Sequence, residues 1–355
     1  MSFLTIGIPA FNGAFNFKDL MQSINLLGLE PHEFEILVVD NASDDDTVEV
    51  IQTLSRDIPN LRFYQNETNI GRIQNWNKVI DQAKGDYLIL MNANDRFVDF
   101  DLKRWISYLD KNPETSLVMS DIINVYPLVT YAYPEWKENG VFKFDTYIKE
   151  SFLNPDILEF YSLGVLHQHI FRLKTIKESN IQFDEKIPRT TDRVFVAEVI
   201  AKGNSTFYYT GQAMVKWVSN EHRYHFAAQQ NLKNFDFNAL WLNEYKANLA
   251  LTTLAGISIK DFLKSQAMYA KYMYHTYKLK QAVDFVKRKA PSAELEEVSA
   301  IAYYYYIKVQ CDVNNIKLNF LDTDFPALKK KLIKPLRRFK LLRKADRSME
   351  KALVN

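Results

Sequence analysis

Through the first 125 residues, short apolar runs alternate with stretches whose apolar residues recur at helical spacing. Leu4–Phe11 is an apolar run that stops at Asn12, and a helical pattern follows to about Gly28. The segment "FEILVVDNASDDDT" is a strand closed by Asp40 and an Asx-rich turn. Ser43 is the candidate N-cap of the next helix, which has acidic residues in its first turn. Leu61–Asn66 reads as a third strand, Gly71–Lys84 as a helix and Tyr87–Asn92 as a fourth strand. Leu102–Lys111 then reads as a helix and Ser116–Asp121 as a fifth strand. This alternation predicts parallel βαβ units, hence an α/β fold with an open sheet flanked by helices. Ligands bind such sheets beyond the carboxyl ends of the strands. Asn12, Asp40 and Asn92–Asp95 fall at those ends.

The pattern weakens over Val125–Lys186, which is richer in Tyr, Pro and Trp. Leu163–Phe171 is expected as a strand with His167 and His169 on one face. "PRTTDRVFVAEVIAKG" reads as a loop entering a helix that stops near Gly203, and "STFYYT" and "AMVKWV" as two further strands. From about Phe226 onward the spacing is helical, with a break expected at Gly256. "YYYY" (Tyr303–Tyr306) could stack on carbohydrate. Consecutive positions of a helix point in every direction, so packing takes at least two of the four.

Composition narrows the classes. Hydrophobic residues are 47% and charged residues 25% of 355, the balance of a soluble globular chain. No apolar run approaches the roughly eighteen residues of a membrane helix. The opening "MSFLTIGIPAFNG" lacks a basic region followed by a long apolar run, so no secretory signal is expected. One cysteine, Cys311, leaves no internal disulfide framework and no multi-cysteine metal cluster. A cytoplasmic location is the expectation. The net charge of +2 is uneven: Pro326–Asn355 carries +9, which leaves Met1–Phe325 at −7. An acidic body argues against nucleic acid as a partner.

The tail "LKKKLIKPLRRFKLLRKADRSMEKAL" sets Leu328, Leu332, Leu336, Phe339 and Leu342 at spacings of four and three, with basic residues on the other face. That pattern suits a helix lying on an anionic membrane surface at the inner face of the plasma membrane, broken near Pro335. A helix packed on the acidic body, or an oligomerisation segment, fits the same pattern.

Four pieces carry a resemblance. They are "IGIPAFN" (Ile6–Asn12), "ILVVDNASDDDT" (Ile36–Thr47), "NETNIGRIQNWNKVIDQAKGDYLILMNANDRF" (Asn66–Phe97) and, more weakly, "RTTDRVFVAEVIAKG" (Arg189–Gly203). In order and spacing they resemble the family 2 glycosyltransferases of GT-A fold, over roughly the first 220 residues. The resemblance implies an open, mixed, Rossmann-like sheet followed by a helical C-terminal region. It divides the chain into a GT-A domain at 1–225, a helical region at 226–325 and the basic tail at 326–355. Within the domain, 1–125 would be the nucleotide-binding half and 126–225 the acceptor half. The implied activity is inverting transfer of a sugar from a nucleotide-sugar donor to a hydroxyl of a glycan or lipid-linked acceptor. Bacterial surface polysaccharide synthesis is the usual setting. The alternative is a degenerate domain that binds nucleotide or glycan as an assembly subunit. A sugar-phosphate nucleotidyltransferase has a similar sheet but a Gly-rich, basic first loop, which "PAFNGAFNF" does not resemble.

The resemblance places base and ribose near Pro9, Phe11, Asn12 and Asp40, with Asp40 accepting from the base. Asn69, Gly71 and Arg72 line the same pocket, with Arg72 near the diphosphate, where a guanidinium offers several fixed donors. The family's metal-binding Asp-x-Asp-Asp pattern falls at Asn92-Ala93-Asn94-Asp95, so two of its carboxylates are amides here. Asp95 would hold a divalent cation, Mn2+ or Mg2+, since such an ion takes only one or two protein carboxylates. Asn94 would bond ribose and Asn92 would orient Asp95. The competing expectation is that metal is weakly held or dispensable. Asp192, just before the late helix, is the implied catalytic base, with Arg193 keeping it ionised. The plainer alternative is that it N-caps that helix, and both roles can hold at once. In "WVSNEHRYHF", His222 or His225 would complete the metal site, His222 first, against a plain solvated loop. His167 and His169 read as structural. "DNASDDDT" lacks the distal Glu of a calcium loop, so Asp44, Asp45 and Asp46 read as a helix-start cluster.

Overall fold

A computed structural model describes residues 2–125, 130–132, 139–153, 166–188, 190–218 and 237–266. Its first part is a regular alternation: β1 (Leu4–Ala10), α1 (Ala14–Asn25), β2 (Phe34–Asp40), α2 (Thr47–Asp57), β3 (Leu61–Gln65), α3 (Arg72–Gln82) and β4 (Tyr87–Leu90). These four strands are parallel, with Ile6 of β1 opposite both Ile36 and Ile89. Every residue of β2 is buried, which is why it reads as an unbroken apolar run and not as an alternation. The helices bury one stripe each. Phe17, Leu20, Met21 and Ile24 do so in α1 at the i, i+3, i+4, i+7 spacing.

The second part is mixed. β5 (Arg96–Phe97), α4 (Leu102–Lys111), β6 (Leu117–Val125), β7 (Thr130–Ala132), β8 (Gly140–Lys143) and α5 (Phe144–Leu153) come first. β9 (His169–Arg172), α6 (Leu173–Glu178), α7 (Thr191–Lys202), β10 (Thr206–Val218) and α8 (Phe237–Leu254) complete the described elements. The sheet runs β3-β2-β1-β4-β9-β6-β10-β5, with β7 on β6 and β8 on β10. β9 is antiparallel to both β4 and β6, whereas β6 and β10 are parallel. The expected open sheet with helices is therefore present, and it is mixed. α4 starts at Asp101, whose carboxylate accepts the Arg104 N–H at 3.1 Å, a side-chain cap of the ordinary kind.

Four local readings change. Ser43 does not cap α2; the helix begins at Thr47, and the Ser43 hydroxyl turns back to Asp40. The segments "STFYYT" and "AMVKWV" are one strand, β10, with irregular pairing to β6 between Tyr209 and Val215. Gly211 at φ +63 sits in that irregularity, so the sequence break is a bulge and not a turn between strands. His167 lies in a 3-10 turn, Leu166–Gln168, and only His169 is on β9, so the two do not share a strand face. Asp192 is not the N-cap of α7; Thr190 holds that place and Asp192 is in the first turn.

The chain divides into two compact units. The first is Met1–Ser151, Leu158–Phe235 and Lys246–Gly256; the second is Phe152–Ile157, Asp236–Tyr245 and Ile257–Asn355. The whole sheet lies in the first. His222, His225, Tyr303–Tyr306 and the 326–355 tail fall outside the described residues. Among the described residues no helix is long and apolar enough to cross a membrane.

Candidate active site

The loops at the carboxyl ends of β1, β2 and β4 are sewn to one another by short polar side chains. Asn12 takes a left-handed conformation, φ +50, which asparagine tolerates better than most residues. Its N–H donates to Ser43 Oγ at 2.9 Å and its Oδ1 accepts from the Asp44 N–H at 3.1 Å. Gly13 N–H donates to Thr47 Oγ1 at 2.8 Å. Asn16 Nδ2 donates to Asn94 Oδ1 at 2.7 Å, which joins α1 to the turn after β4. Asp40 is fully buried, and its carboxylate accepts from both the Ser43 hydroxyl and the Ser43 N–H. Pro9 is partly buried, while Phe11 is 48% exposed and offers its ring to this edge.

The loop between β3 and α3 is held by amides. Asn41 Nδ2 donates to Asn69 Oδ1 at 2.8 Å, and the same oxygen accepts from the Gly71 N–H at 2.9 Å. Asn41 Oδ1 accepts from Ile70 N–H at 3.0 Å and from Asn66 Nδ2 at 3.1 Å. Asn66 Nδ2 also reaches Asn75 Oδ1 at 3.0 Å, Asn75 Nδ2 reaches the Val39 carbonyl, and Lys78 Nζ donates to Asn66 Oδ1 at 2.6 Å. Gly71 at φ +84 then turns the chain into α3, and Arg72 opens the helix exposed to solvent. Its guanidinium lies 4.7 Å from the Trp76 ring centroid and donates to the Pro188 carbonyl.

The turn Asn92–Asp95 is closed by its own members. Asp95 N–H donates to the Asn92 carbonyl, and Asn92 Nδ2 donates to Asp95 Oδ2 at 2.9 Å. Asp95 is only 1% exposed; its Oδ1 accepts the Val218 N–H at 3.1 Å, and His167 Nδ1 lies 3.4 Å from its Oδ2. Asn92 Nδ2 is 3.3 Å from the same ring nitrogen. Burial pushes the His167 imidazole below its ordinary value, and the Asp95 charge opposes that only in part, so the ring is neutral at pH 7. His167 Nε2 is buried with no hydrogen-bond partner among the described residues.

Asp192 is partly buried, and burial raises its carboxyl from the ordinary carboxylate range to about 6. The Arg193 N–H, which donates to Asp192 Oδ1 at 2.9 Å, and the charges of Arg193 and Arg72 pull the other way. The carboxyl thus feels the cation that starts α3. The amide-laced loops supply neutral donors and acceptors, Arg72 a positive charge, and Asp192 a carboxylate of raised basicity.

Residues 5–164 match Glycosyl transferase family 2. Over that stretch the chain is similar to the family 2 glycosyltransferases. Its curated relatives include the poly(ribitol-phosphate) beta-N-acetylglucosaminyltransferase TarS of Staphylococcus aureus, 24% identical over 198 residues. That alignment covers 56% of this chain and 32% of TarS, so the chain spans about a third of that relative's length. A dolichyl N-acetyl-alpha-D-glucosaminyl phosphate 3-beta-D-2,3-diacetamido-2,3-dideoxy-beta-D-glucuronosyltransferase of Methanococcus voltae is 25% identical over 264 residues, covering 68% of this chain and 78% of that one. The structure of S. aureus TarS 1-349 with UDP-GlcNAc aligns at a TM-score of 0.59 and 18% identity, over 86% of this chain and 81% of the other. The mannosyltransferase PcManGT of Pyrobaculum calidifontis, with GDP-Man and Mn2+, aligns at 0.50 and 13% identity, over 86% of both chains. The fold is GT-A.

The Mn2+ in the Pyrobaculum structure makes the donor set here worth testing. A hard divalent ion seeks oxygen ligands, usually including a free carboxylate. Asn92 and Asn94 supply amides, and both Asp95 oxygens already accept N–H groups while the side chain is withdrawn from solvent. Among the described residues no three of His, Cys, Asp and Glu converge. With both oxygens already bonded to protein N–H groups and the side chain withdrawn from solvent, Asp95 as it stands is a poor fit for an ion.

Of the residues singled out in the sequence, Asn12 is directly laced to the β2 loop that starts at Asp40; Asn69 and Gly71 join Asn41, the residue after Asp40. Asn92 and Asp95 form a second cluster, with Asn94 joined to α1 through Asn16. Arg72 acts on Asp192 only through its charge, which lowers that carboxyl's pKa. Asn16, Asn41, Asn66 and Asn75 carry no motif of their own: Asn41 and Asn66 follow β2 and β3, whereas Asn16 and Asn75 lie within α1 and α3.

Proposed function

We propose that this chain is an inverting glycosyltransferase that moves a sugar from a nucleotide-sugar donor to a hydroxyl of a glycan or lipid-linked acceptor. The carrying observation is Asp192, a partly buried carboxyl in the first turn of α7 that burial raises to about 6 against the opposing charges of Arg193 and Arg72. A base of that strength is about nine-tenths ionised at pH 7, yet more basic than a free aspartate. In the proposed step Asp192 takes the proton of the acceptor hydroxyl. The freed oxygen attacks the anomeric carbon, whose bond to the diphosphate oxygen breaks. The diphosphate leaves with the bonding electrons, and Arg72 compensates its charge. A single displacement inverts the anomeric centre. Pro9, Phe11, Asn12, Asp40, Asn69 and Gly71 frame the nucleotide, Asn94 bonds its ribose, and Asn92 orients Asp95. No step here runs through a metal ion.

The poly(ribitol-phosphate) and dolichyl-phosphate transferases among its relatives motivate a phosphate-bearing glycan or lipid acceptor in cell-envelope polysaccharide synthesis. UDP in the TarS structures puts uridine nucleotides first among donors to try. A cytoplasmic enzyme resting on an anionic membrane through its 326–355 tail is consistent with the basic, amphipathic pattern there. The amides at Asn92 and Asn94 favour one second reading, a nucleotide-binding subunit without turnover. A thermal-shift screen against UDP, GDP, CMP and dTDP, followed by donor turnover in wild type and Asp192→Asn, separates them. Turnover abolished by Asp192→Asn supports the enzyme, and nucleotide binding without any turnover supports the subunit.

A further inference from the structure

Helix α3 carries a polar residue where its pattern calls for an apolar one. Ile73, Trp76, Asn77 and Ile80 form the i, i+3, i+4, i+7 stripe, and all four are buried, Asn77 at 6% exposure. A buried amide is unfavourable unless its groups are bonded. Here both ends are. Asn77 Oδ1 accepts the Phe183 N–H at 2.8 Å, and Asn77 Nδ2 donates to the Phe183 carbonyl at 3.2 Å. The side chain thus grips one residue of a distant segment by both of its backbone groups.

That segment leads to Asp192. The Phe183 ring stacks on Phe195 of α7 at 4.0 Å and meets Trp76 edge-on at 4.9 Å. Asp184 N–H donates to Thr191 Oγ1 at 2.6 Å, immediately before Asp192. Arg72, one turn before Trp76, reaches the Pro188 carbonyl in the same segment. Asn75 points the other way, roughly 200° around the helix from Asn77, and holds the β3–α3 loop through Asn66. The helix is also seated closely on β1, where a Cβ on Gly7 would run into Val79.

We propose that α3 is a strut between the donor-side loop and the base, and that Asn77 is the positioning residue that fixes Asp192. The proposal rests on the reading of Asp192 as the base. An apolar side chain at position 77 would fill the stripe but leave the Phe183 N–H and carbonyl buried and unpaired, so the segment would lose its register on the helix. The charged groups around Asp192 are Arg72 from α3 and Arg193 from α7. Both lower its pKa, so its elevated value depends on the segment staying closed against water.

The test is a pH titration of Asp192 by carboxyl-carbon NMR in the full chain, with Asp192→Asn assigning the signal. In wild type the carboxyl should titrate at about 6. In Asn77→Leu it should move down toward the ordinary carboxylate range. Donor turnover should fall about tenfold or more with donor KM little changed, since a small displacement of a catalytic group is enough for that. Asn77→Asp keeps the acceptor for Phe183 N–H and loses the donor, so it should shift less and serves if the leucine variant does not fold. An unmoved Asp192 titration in a folded variant whose melting temperature has dropped would overturn the inference, leaving Asn77 a merely structural residue. If Asp192→Asn retains turnover, the base reading fails on its own, and the titration still judges the strut.

Discussion

Asp95 Oδ1 accepts the Val218 N–H at 3.1 Å across 123 residues of chain, and this bond ties the turn after β4 to the end of β10. The other carboxylate oxygen receives Asn92 Nδ2, so Asp95 answers two donors with two acceptors. An asparagine there has one oxygen for those two donors, and its own NH2 must face one of them. Asp95→Asn should therefore destabilise the metal-free protein by about 1–3 kcal/mol, the range for a buried group left unpaired. Chemical denaturation in EDTA reads this. A carboxylate held ready for an absent ion would give the opposite sign, since removing it would relieve uncompensated charge.

The same geometry bears on cofactor dependence. With Asp95 committed to Val218 and Asn92, the affinity for a nucleoside diphosphate should change less than about twofold between Mn2+ and EDTA, because no free carboxylate awaits the ion. Calorimetric titration of UDP or GDP in the two buffers measures it. Binding that vanishes in EDTA would restore the ion, and loss of that effect in Asp95→Asn would locate it.

Asp192 makes a prediction with a definite sign. Its carboxyl is raised from 3.8 to about 6, so between those values the folded protein binds more protons than the unfolded chain. Folding stability should fall as pH rises from about 4 to 6 and level off above. Asp192→Asn removes the ionisation. It should flatten that part of the profile and stabilise the protein at pH 7 by up to about 3 kcal/mol, two pKa units at 1.36 each. Turnover should be lost in the same variant, with the acid limb of the wild-type rate profile near pH 6. A variant less stable at pH 7 than wild type would contradict the burial argument.

What the sequence revealed follows the range of the forces involved. β1 to β4 and α1 to α4 were legible because burial writes a period into neighbouring residues. Asn12 and Asp40 stood out because strand ends in such a sheet face a ligand, whereas Arg72 drew notice only through the family resemblance. The role of Asp95 was not, because Val218 and His167 reach it from distant parts of the chain. The asparagines Asn41, Asn66 and Asn75 read as ordinary loop and helix polar residues; only the fold shows them bonding one another. β10 was split in two because Gly211 looks like a turn, whereas pairing with β6 continues on both sides of it. Asn77 carries no signal of its role, because the residue it bonds lies 106 residues away.

Gly71 isolates backbone conformation from packing. It holds φ +84 where the asparagine-laced loop enters α3, and a Cβ built there meets nothing within 4 Å. Gly71→Ala thus introduces no clash, only a left-handed alanine, at roughly 1–2 kcal/mol. The strain falls between Asn69, which holds the Gly71 N–H, and Arg72, which reaches toward the base. If the loop yields, the helix start turns and Arg72 is displaced from Pro188. Nucleotide affinity should then weaken by a larger factor than the loss of global stability explains, with α3 itself intact by hydrogen exchange. Gly7→Ala is the contrast: a Cβ there runs into Val79, so its effect should appear as lost stability through the sheet and α3 together. If Gly71→Ala keeps wild-type nucleotide affinity, the β3–α3 loop is not part of the donor site.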